Sequence, residues 1–278
     1  MARSENKEIA GPATRMVAAL VRELRKKRGL TQEQLGVELG FSAAAVSALE
    51  TLAQPPSDQM LVKLERVLGN EMEIFETARR FVREEKYPVQ FQGYASLEQE
   101  AVALHLYETL VIHGLFQTED YARALIGGGY PPLSEERVET LVQARMERKA
   151  LFDREPPVLI ELVIEEGALR RPIGSREIMR GQLLHLAECA RRRNVTAQVL
   201  PLEAGLSGEY AGDRGSMNLL ETPDHVHLVF LEIQGESLLI SDPAKVSTYT
   251  QRYAKIRAQA LDPRESLGLI ERLAGESR

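Results

Sequence analysis

LRKKRGLTQEQLGVELGFSAAAVSALE, residues 24–50, reads as two short helices joined by a tight turn, with a basic helix leading in. Thr31 is placed to cap the first helix, and Gln34 stands three positions on, as a capping box requires. Leu35 and Leu39 fall one turn apart on one face. Gly40, with no Cβ to oppose a positive φ, supplies the stop. Ser42 caps the next helix, and Val46 and Leu49 form its buried stripe. This is helix-turn-helix grammar, in which the second helix is offered to the DNA major groove.

Working outward, Arg25, Arg28, Gly29, Leu30, Thr31, Gln32, Leu35, Leu39, Gly40, Ser42, Val46, Ser47, Leu49 and Glu50 fall in register with RxxRGLTQxxLAxxLGxSxxxVSxIE. On these residues the stretch resembles the Cro/lambda-repressor-type (XRE) helix-turn-helix family. By that match Ser42, Ala43, Ala44, Ala45 and Ser47 occupy the groove-facing end of the second helix. Alanine offers no hydrogen bond to a base edge, though its methyl packs against thymine. Gln32 and Gln34 are candidates for phosphate or base edges. Arg22, Lys26 and Lys27 are candidates for phosphate, together with Arg15 and Lys63. Glu50 is assigned a structural role, paired with Arg25 or Arg28. Many relatives continue ERGxRxP after this glutamate, whereas here the chain runs Thr51-Leu52-Ala53-Gln54-Pro55, which removes phosphate contacts.

The bulk numbers are consistent with such a head on a larger body. The 278 residues suggest two domains, and 44% hydrophobic content suits a globular core. The net charge of −6 is modest. Its distribution says more: residues 87–278 carry 21 basic and 28 acidic groups, a net of −7, while Arg15, Arg22, Arg25, Lys26, Lys27 and Arg28 crowd the front, with Arg3 and Lys7 before them. A basic front on an acidic body fits a protein that touches phosphate with one part only. A solvated helix face would look the same by charge alone. The single cysteine, Cys189, forms no intrachain disulfide and reads as a core residue. No signal peptide and no apolar run near the ~18 residues of a membrane span is evident, so the expected compartment is the cytoplasm.

In chain order, residues 1–11 read as a frayed tail. Helix 1 follows Pro12 with Met16, Val17, Leu20 and Leu24 at helical spacing. Pro55-Pro56 stops the loop after the motif, Ser57 caps a helix through Met60, Leu61, Leu64, Val67 and Leu68, and a further helix spans about 71–85. YPVQFQGY (87–94) breaks the pattern and marks a boundary. Ser96 with Gln99 predicts a helix to about Val111. Thr118 caps EDYARALI, ended by Gly127–Gly129, and Ser134 opens a long helix to about Phe152. VLIELVI (158–164) and VTAQVL (195–200) read as strands flanking a helix capped by Ser175, a unit that favours a parallel pair. SMNLLE (216–221), HVHLVFLE (225–232) and SLLI (237–240) read as antiparallel strands. Helices at about 244–260 and 263–273 close the chain.

GLFQTEDYARAL (114–125), EEGALRRPIGSREIMRGQLLHLAECARRRNVTAQVLP (165–201) and ALDPRES (260–266) are similar, in that order, to elements of the large actinobacterial regulators of the WhiJ-like type. That resemblance implies a DNA-binding regulator whose C-terminal domain has no assigned chemistry. It also implies a small partner protein encoded nearby, in a toxin–antitoxin-like arrangement. The β-helix-β unit followed by strands is also faintly similar to phospholipase-D-like sensor domains, but their His-x-Lys pair is absent here.

Three groups of residues also allow enzyme readings. His225 and His227, placed on one face of a strand with Glu221 or Glu232, are a possible metal set or an ordinary half-exposed strand. Cys189 and His185, four apart on a helix, are a possible thiol–imidazole pair or packed residues. Glu165-Glu166 with Arg170-Arg171 are an acid–base site or a solvated ion-pair cluster. The expected fold is α+β. Residues 1–86 form an all-α, five-helix lambda-repressor-like DNA-binding domain, residues 87–155 a helical block, and residues 156–278 an α/β sensor or partner-binding part with a small sheet flanked by helices. The expected activity is transcription regulation on double-stranded DNA as a homodimer. No enzyme activity, cofactor, metal or membrane partner is expected. An alternative keeps the fold but makes the first domain an interaction module with weak or lost DNA binding.

Overall fold

The computed structural model describes residues 10–70, 72–85, 87 and 91–276. Most of the expected N-terminal tail, with Arg3 and Lys7, lies outside them, as do residues 88–90 of the boundary segment. The chain divides into two compact units, Met1–Gln92 and Gly93–Arg278.

The first unit is helical: α1 (Pro12–Lys27), α2 (Gln32–Leu39), α3 (Ala43–Glu50), α4 (Asp58–Leu64, continued by a π turn, Glu65–Gly69) and α5 (Ile74–Glu84). Pro12 opens α1, where a missing N–H costs nothing. The Glu85 carboxylate then accepts from the Thr14 hydroxyl at 2.6 Å and the Thr14 amide at 3.1 Å, placing negative charge at the positive end of the helix. The capping box forms as read: Gln34 N donates to Thr31 Oγ1 at 3.1 Å, and Thr31 N to Gln34 Oε1 at 2.7 Å. Gly40 adopts φ 66° and ends α2. Leu35, Leu39, Val46, Leu49, Leu61, Leu64 and Phe75 meet in one core. The buried stripe of α1 is Thr14, Val17, Ala18 and Val21, so Met16, expected inward, points out and is 52% exposed. A hydroxyl holding a capping carboxylate took the place that hydrophobicity alone gave to methionine.

The second unit is built on a six-stranded sheet, ordered β3-β2-β1-β4-β5-β6. The strands are β1 (Ala103–Glu108), β2 (Leu159–Glu165), β3 (Val195–Leu200), β4 (Met217–Glu221), β5 (His227–Ile233) and β6 (Glu236–Ile240). β1, β2 and β3 run parallel, and β4, β5 and β6 continue antiparallel. The helices are α6 (Gln92–Glu100), α7 (Glu119–Gly127), α8 (Glu135–Glu147), α9 (Glu166–Arg170), α10 (Arg176–Ala190), α11 (Pro243–Gln259) and α12 (Pro263–Glu276). None of the described helices is long and apolar enough to cross a membrane.

One expectation fails here. The helix expected to run to Val111 stops at Glu100, Ser96 lies inside it rather than capping it, and ALHLYE (103–108) is a central strand. Ala103, Leu104, Leu106 and Tyr107 are buried because both faces of the sheet are covered. A strand buried on both faces loses its alternation and cannot be told from a buried helix by period.

The segments that carry the WhiJ-like resemblance do architectural work. Gln117 is buried; its amide donates to Ile112 O at 2.6 Å and its oxygen accepts from Arg145 at 2.8 Å. Gln182 Nε2 donates to Phe116 O at 2.7 Å, and its oxygen accepts from Thr118 N at 2.7 Å. Ser266 Oγ accepts from Val199 N at 2.9 Å, and Leu261 N donates to Val199 O at 2.9 Å. These last bonds seal the outer edge of β3, as an exposed strand edge invites unwanted pairing. At the other edge, β6 leaves Leu238 and Leu239 exposed.

Candidate nucleic-acid interface

The helix-turn-helix is held by one charged lock. Arg25 of α1 forks onto Glu50 of α3, Nε to Oε1 at 2.6 Å and Nη2 to Oε2 at 2.9 Å, while its Nη1 donates to Leu30 O at 2.8 Å. Gln32 Nε2 donates to Glu50 Oε2 at 2.9 Å. One carboxylate thus fastens the start of α2 and the end of α3 to α1. Burial pushes the Glu50 carboxyl up, but the Arg25 and Gln32 hydrogen bonds outweigh it and hold its pKa below the ordinary carboxylate value. Arg28, the alternative partner, donates instead to Val67 O.

Arg25→Ala strands a side-chain carboxylate that is 3% exposed, and is expected to cost about 2 kcal/mol. A depressed folded pKa contributes stability above the unfolded value, lost as pH falls through the folded one. The gap between wild type and Arg25→Ala in thermal denaturation should therefore close in acid. A gap that persists unchanged at pH 3 would contradict the lock.

The lock presents a defined surface. Ser42 Oγ accepts from Ala45 N at 3.1 Å and so opens α3. Ser42, Ala43 and Ala44 are exposed, Ser47 is half-buried, and Ala45 packs against the core. Gln34 is exposed with its oxygen in the capping box, so its NH2 is the part that can reach a phosphate or base. Arg22, Lys26 and Lys27 are exposed on α1, with Lys26 Nζ 3.7 Å from Glu23. Lys63 sits over the Phe41 ring at 4.8 Å. Two of the expected reading residues also have contacts within the domain: Gln32 donates one hydrogen bond to Glu50, and Ala45 is half-buried against the core beside the Val46 and Leu49 stripe.

The rival sites of the second unit do not assemble. His225 is not on a strand: it lies in the β4–β5 turn at φ 59° and bonds Glu221 at 2.5 Å. His227 starts β5 and Glu232 lies five residues on, roughly 16 Å along a strand. No group of three or more metal-binding side chains occurs among the described residues. The Cys189 thiol is buried, which pushes its pKa up, the opposite of a nucleophile's need. His185 Nε2 lies 3.2 Å from Lys149 Nζ and 3.6 Å from Cys189 Sγ. Glu166 is split between Arg170 at 2.6 Å and Leu202 N at 3.1 Å, while Glu165 accepts from the Tyr107 and Tyr210 hydroxyls.

Sequence reasoning missed two groupings in this unit. Arg148 and Glu98 form a buried bidentate pair, 2.7 Å in both arms. His105, Glu161 and Arg257 meet beneath α11, with Glu161 Oε2 3.0 Å from His105 Nδ1 and 2.8 Å from Arg257 Nη1. Their partners come from β1, β2 and α11, so no local spacing announces them.

Comparison with known families agrees with this division. Residues 91–272 match the family described as Domain of unknown function (DUF5753). The chain belongs to the DUF5753 family. Residues 21–75 match the helix-turn-helix family, covering the second half of α1 and all of α2, α3 and α4. The protein is thus an XRE-type helix-turn-helix domain followed by a DUF5753 domain. No curated protein and no solved structure matches the chain. The DUF5753 domain contains the entire sheet and most of its covering helices.

Proposed function

We propose that this protein is a sequence-specific transcription regulator that binds double-stranded DNA as a homodimer in the cytoplasm, and that its DUF5753 domain binds an effector or partner rather than catalysing a reaction. The observation that carries the reading is the Ser42-capped end of α3, exposed to solvent and braced from behind by Arg25, Glu50 and Gln32. The N-termini of α2 and α3, capped by Thr31 and Ser42, are the positive ends of their helix dipoles, which suits phosphate. We further assign it to the WhiJ-like, actinobacterial type, with a small partner protein encoded nearby; the three quoted segments support this.

With Ala43 and Ala44 at the reading end, base discrimination rests on methyl contacts, Gln34 and DNA shape, so two half-sites are needed for useful specificity. Electrophoretic shifts of the gene's own upstream region in rising salt test this. Reversing Lys26 and Lys27 together to glutamate is expected to weaken binding at least about a hundredfold and to flatten the log–log salt slope by about 4, two contacts being lost in each of the two protomers. Salt-insensitive binding by the wild type would end the reading.

A second reading is favoured by the same alanines and by the exposed Leu238 and Leu239 on the open edge of β6. In it the protein is antitoxin-like, an interaction module with little DNA affinity. The double charge reversal separates the two: loss of operator occupancy with dimers intact supports the regulator, and loss of dimers alone supports the interaction module.

A further inference from the structure

The two edges of the sheet are finished differently. Along β3, Ser266 and Leu261 take up the outward backbone groups of Val199. β6 has no such cover. It pairs with β5 on one side, and on the other its backbone bonds to no further element among the described residues. The Gln234-Gly235 turn, with φ 52° and 82°, is of the two-residue kind that closes on a hydrogen-bonded pair, here Ile233 and Glu236. Alternation from that pair turns the N–H and C=O of Leu238 and Ile240 towards β5, and those of Ser237 and Leu239 outward. Open edges are ordinarily blunted by a lysine, a proline or a bulge. β6 pairs with β5 without a bulge, and residues 237–241, SLLIS, carry no charge. Leu238 and Leu239, on opposite faces, are 56% and 45% exposed.

This edge is also its own complement. Set antiparallel to a second β6 about a twofold axis at Leu238, Ser237 falls opposite Leu239 of the second copy, and Leu239 opposite its Ser237. The outward groups of both residues then find partners. Leu238 meets Leu238 of the second copy at a non-hydrogen-bonded position, where side chains come closest. Charge selects the same register. Glu236, Leu238 and Ile240 share the α11 face of the strand, and Ile240 lies in the core with Val246 of α11. Lys245, at the start of α11, lines one groove with Leu238 and Ile240. Glu236 and Lys245 are exposed, and neither has an ion-pair partner among the described residues. Within one chain Glu236 stands roughly 13 Å along the strand from Ile240. Across the twofold it stands directly opposite Ile240, beside Lys245.

We propose that β6 is the interface between two copies of this chain, joined antiparallel about Leu238 into one continuous sheet, with Glu236 of each copy paired to Lys245 of the other. The interface deepens the homodimer reading above and rests on it.

The test is sedimentation velocity of the full chain at micromolar concentration, without DNA. Wild type is expected to sediment as a dimer. Leu238→Lys sets two cations against each other on the axis and should give monomers. Its circular dichroism and thermal denaturation should stay unchanged, because the side chain is exposed in the fold. Glu236→Lys or Lys245→Glu alone should weaken the dimer about tenfold, and the two together should restore it. A dimer that survives Leu238→Lys, or a double charge swap no tighter than either single variant, would overturn the β6 interface and leave the homodimer itself standing. A wild-type monomer would overturn both, whether the edge then stays bare or takes a strand from another protein. Operator shifts are read separately. Wild-type dimers that bind no operator keep the interface and end the regulator reading.

Discussion

Replacing Glu98 by alanine is expected to cost the C-terminal unit about 4 kcal/mol, because it removes one half of a buried ion pair. Glu98 is fully buried, and the Arg148 side chain is 6% exposed. The two meet in a bidentate fork with both arms at 2.7 Å. Each ion has left water, and the fork between them offsets much of that desolvation. Without Glu98, the Arg148 guanidinium stays buried beside Arg145 and His113, where burial first, and then the Arg148 charge, already pull the pKa of each down. The double replacement Glu98→Met with Arg148→Met removes both charges and should recover most of the loss. The chain has no tryptophan, so urea unfolding is followed by far-UV circular dichroism. The two units need not melt together, and the transition that moves is the one to fit. A loss below 1 kcal/mol, or a double variant no better than the single, would show that the pair is solvated.

Glu108 gives the second large effect, and it is a function of pH. Burial at the end of β1 pushes its carboxyl up to about 8, against a partial pull down from the Ser216 hydroxyl. His113 cannot offset this as a cation, since burial and the two arginines keep its imidazole neutral. A carboxyl whose folded pKa is raised is most favourable to the fold below its unfolded pKa, near 4.5. Its contribution is lost as pH rises towards 8, where the folded state too must ionise. Wild type should therefore lose on the order of 4 kcal/mol between pH 4.5 and pH 9 from this group, at about 1.4 kcal/mol per pKa unit. Glu108→Gln keeps the shape and removes the titration. It should match wild type near pH 5 and exceed it at pH 9 in thermal denaturation. If the two variants keep a constant gap across that range, Glu108 is already ionised in the fold and the reading is wrong.

The first unit was legible because its signals are local. Thr31 with Gln34, Gly40, and Ser42 act within one helical turn of themselves, and the structure uses each as the spacing implies. The phase of α1 was less legible. Thr14 turned inward because Glu85, 71 residues away, caps the helix through it. In the second unit, β2 to β6 carried alternation, branching and turn residues close to where the strands form. β1 carried none of these, since a central strand covered on both faces has no polar side to display. Its misreading as helix hid the organising strand of the sheet.

Of the proposed DNA contacts, exposure of Ser42, Ala43 and Ala44 follows from the cap and the Val46–Leu49 stripe, both local. That Gln32 faces Glu50 does not, as it depends on how α1, α2 and α3 cross. The metal reading of His225 failed on one backbone angle: a residue at φ 59° has left the strand.

By itself, the sequence determined the helix-turn-helix, its caps and stop, and the α+β division. These are properties of neighbours along the chain, where a cap or a stripe acts over three or four residues. Only the tertiary structure decided that β1 is a strand, that Glu98 meets Arg148, and that His105, Glu161 and Arg257 meet on one face of the sheet. Those depend on which elements the sheet order brings together, and a buried charge acquires its energy only once packing has taken its water away.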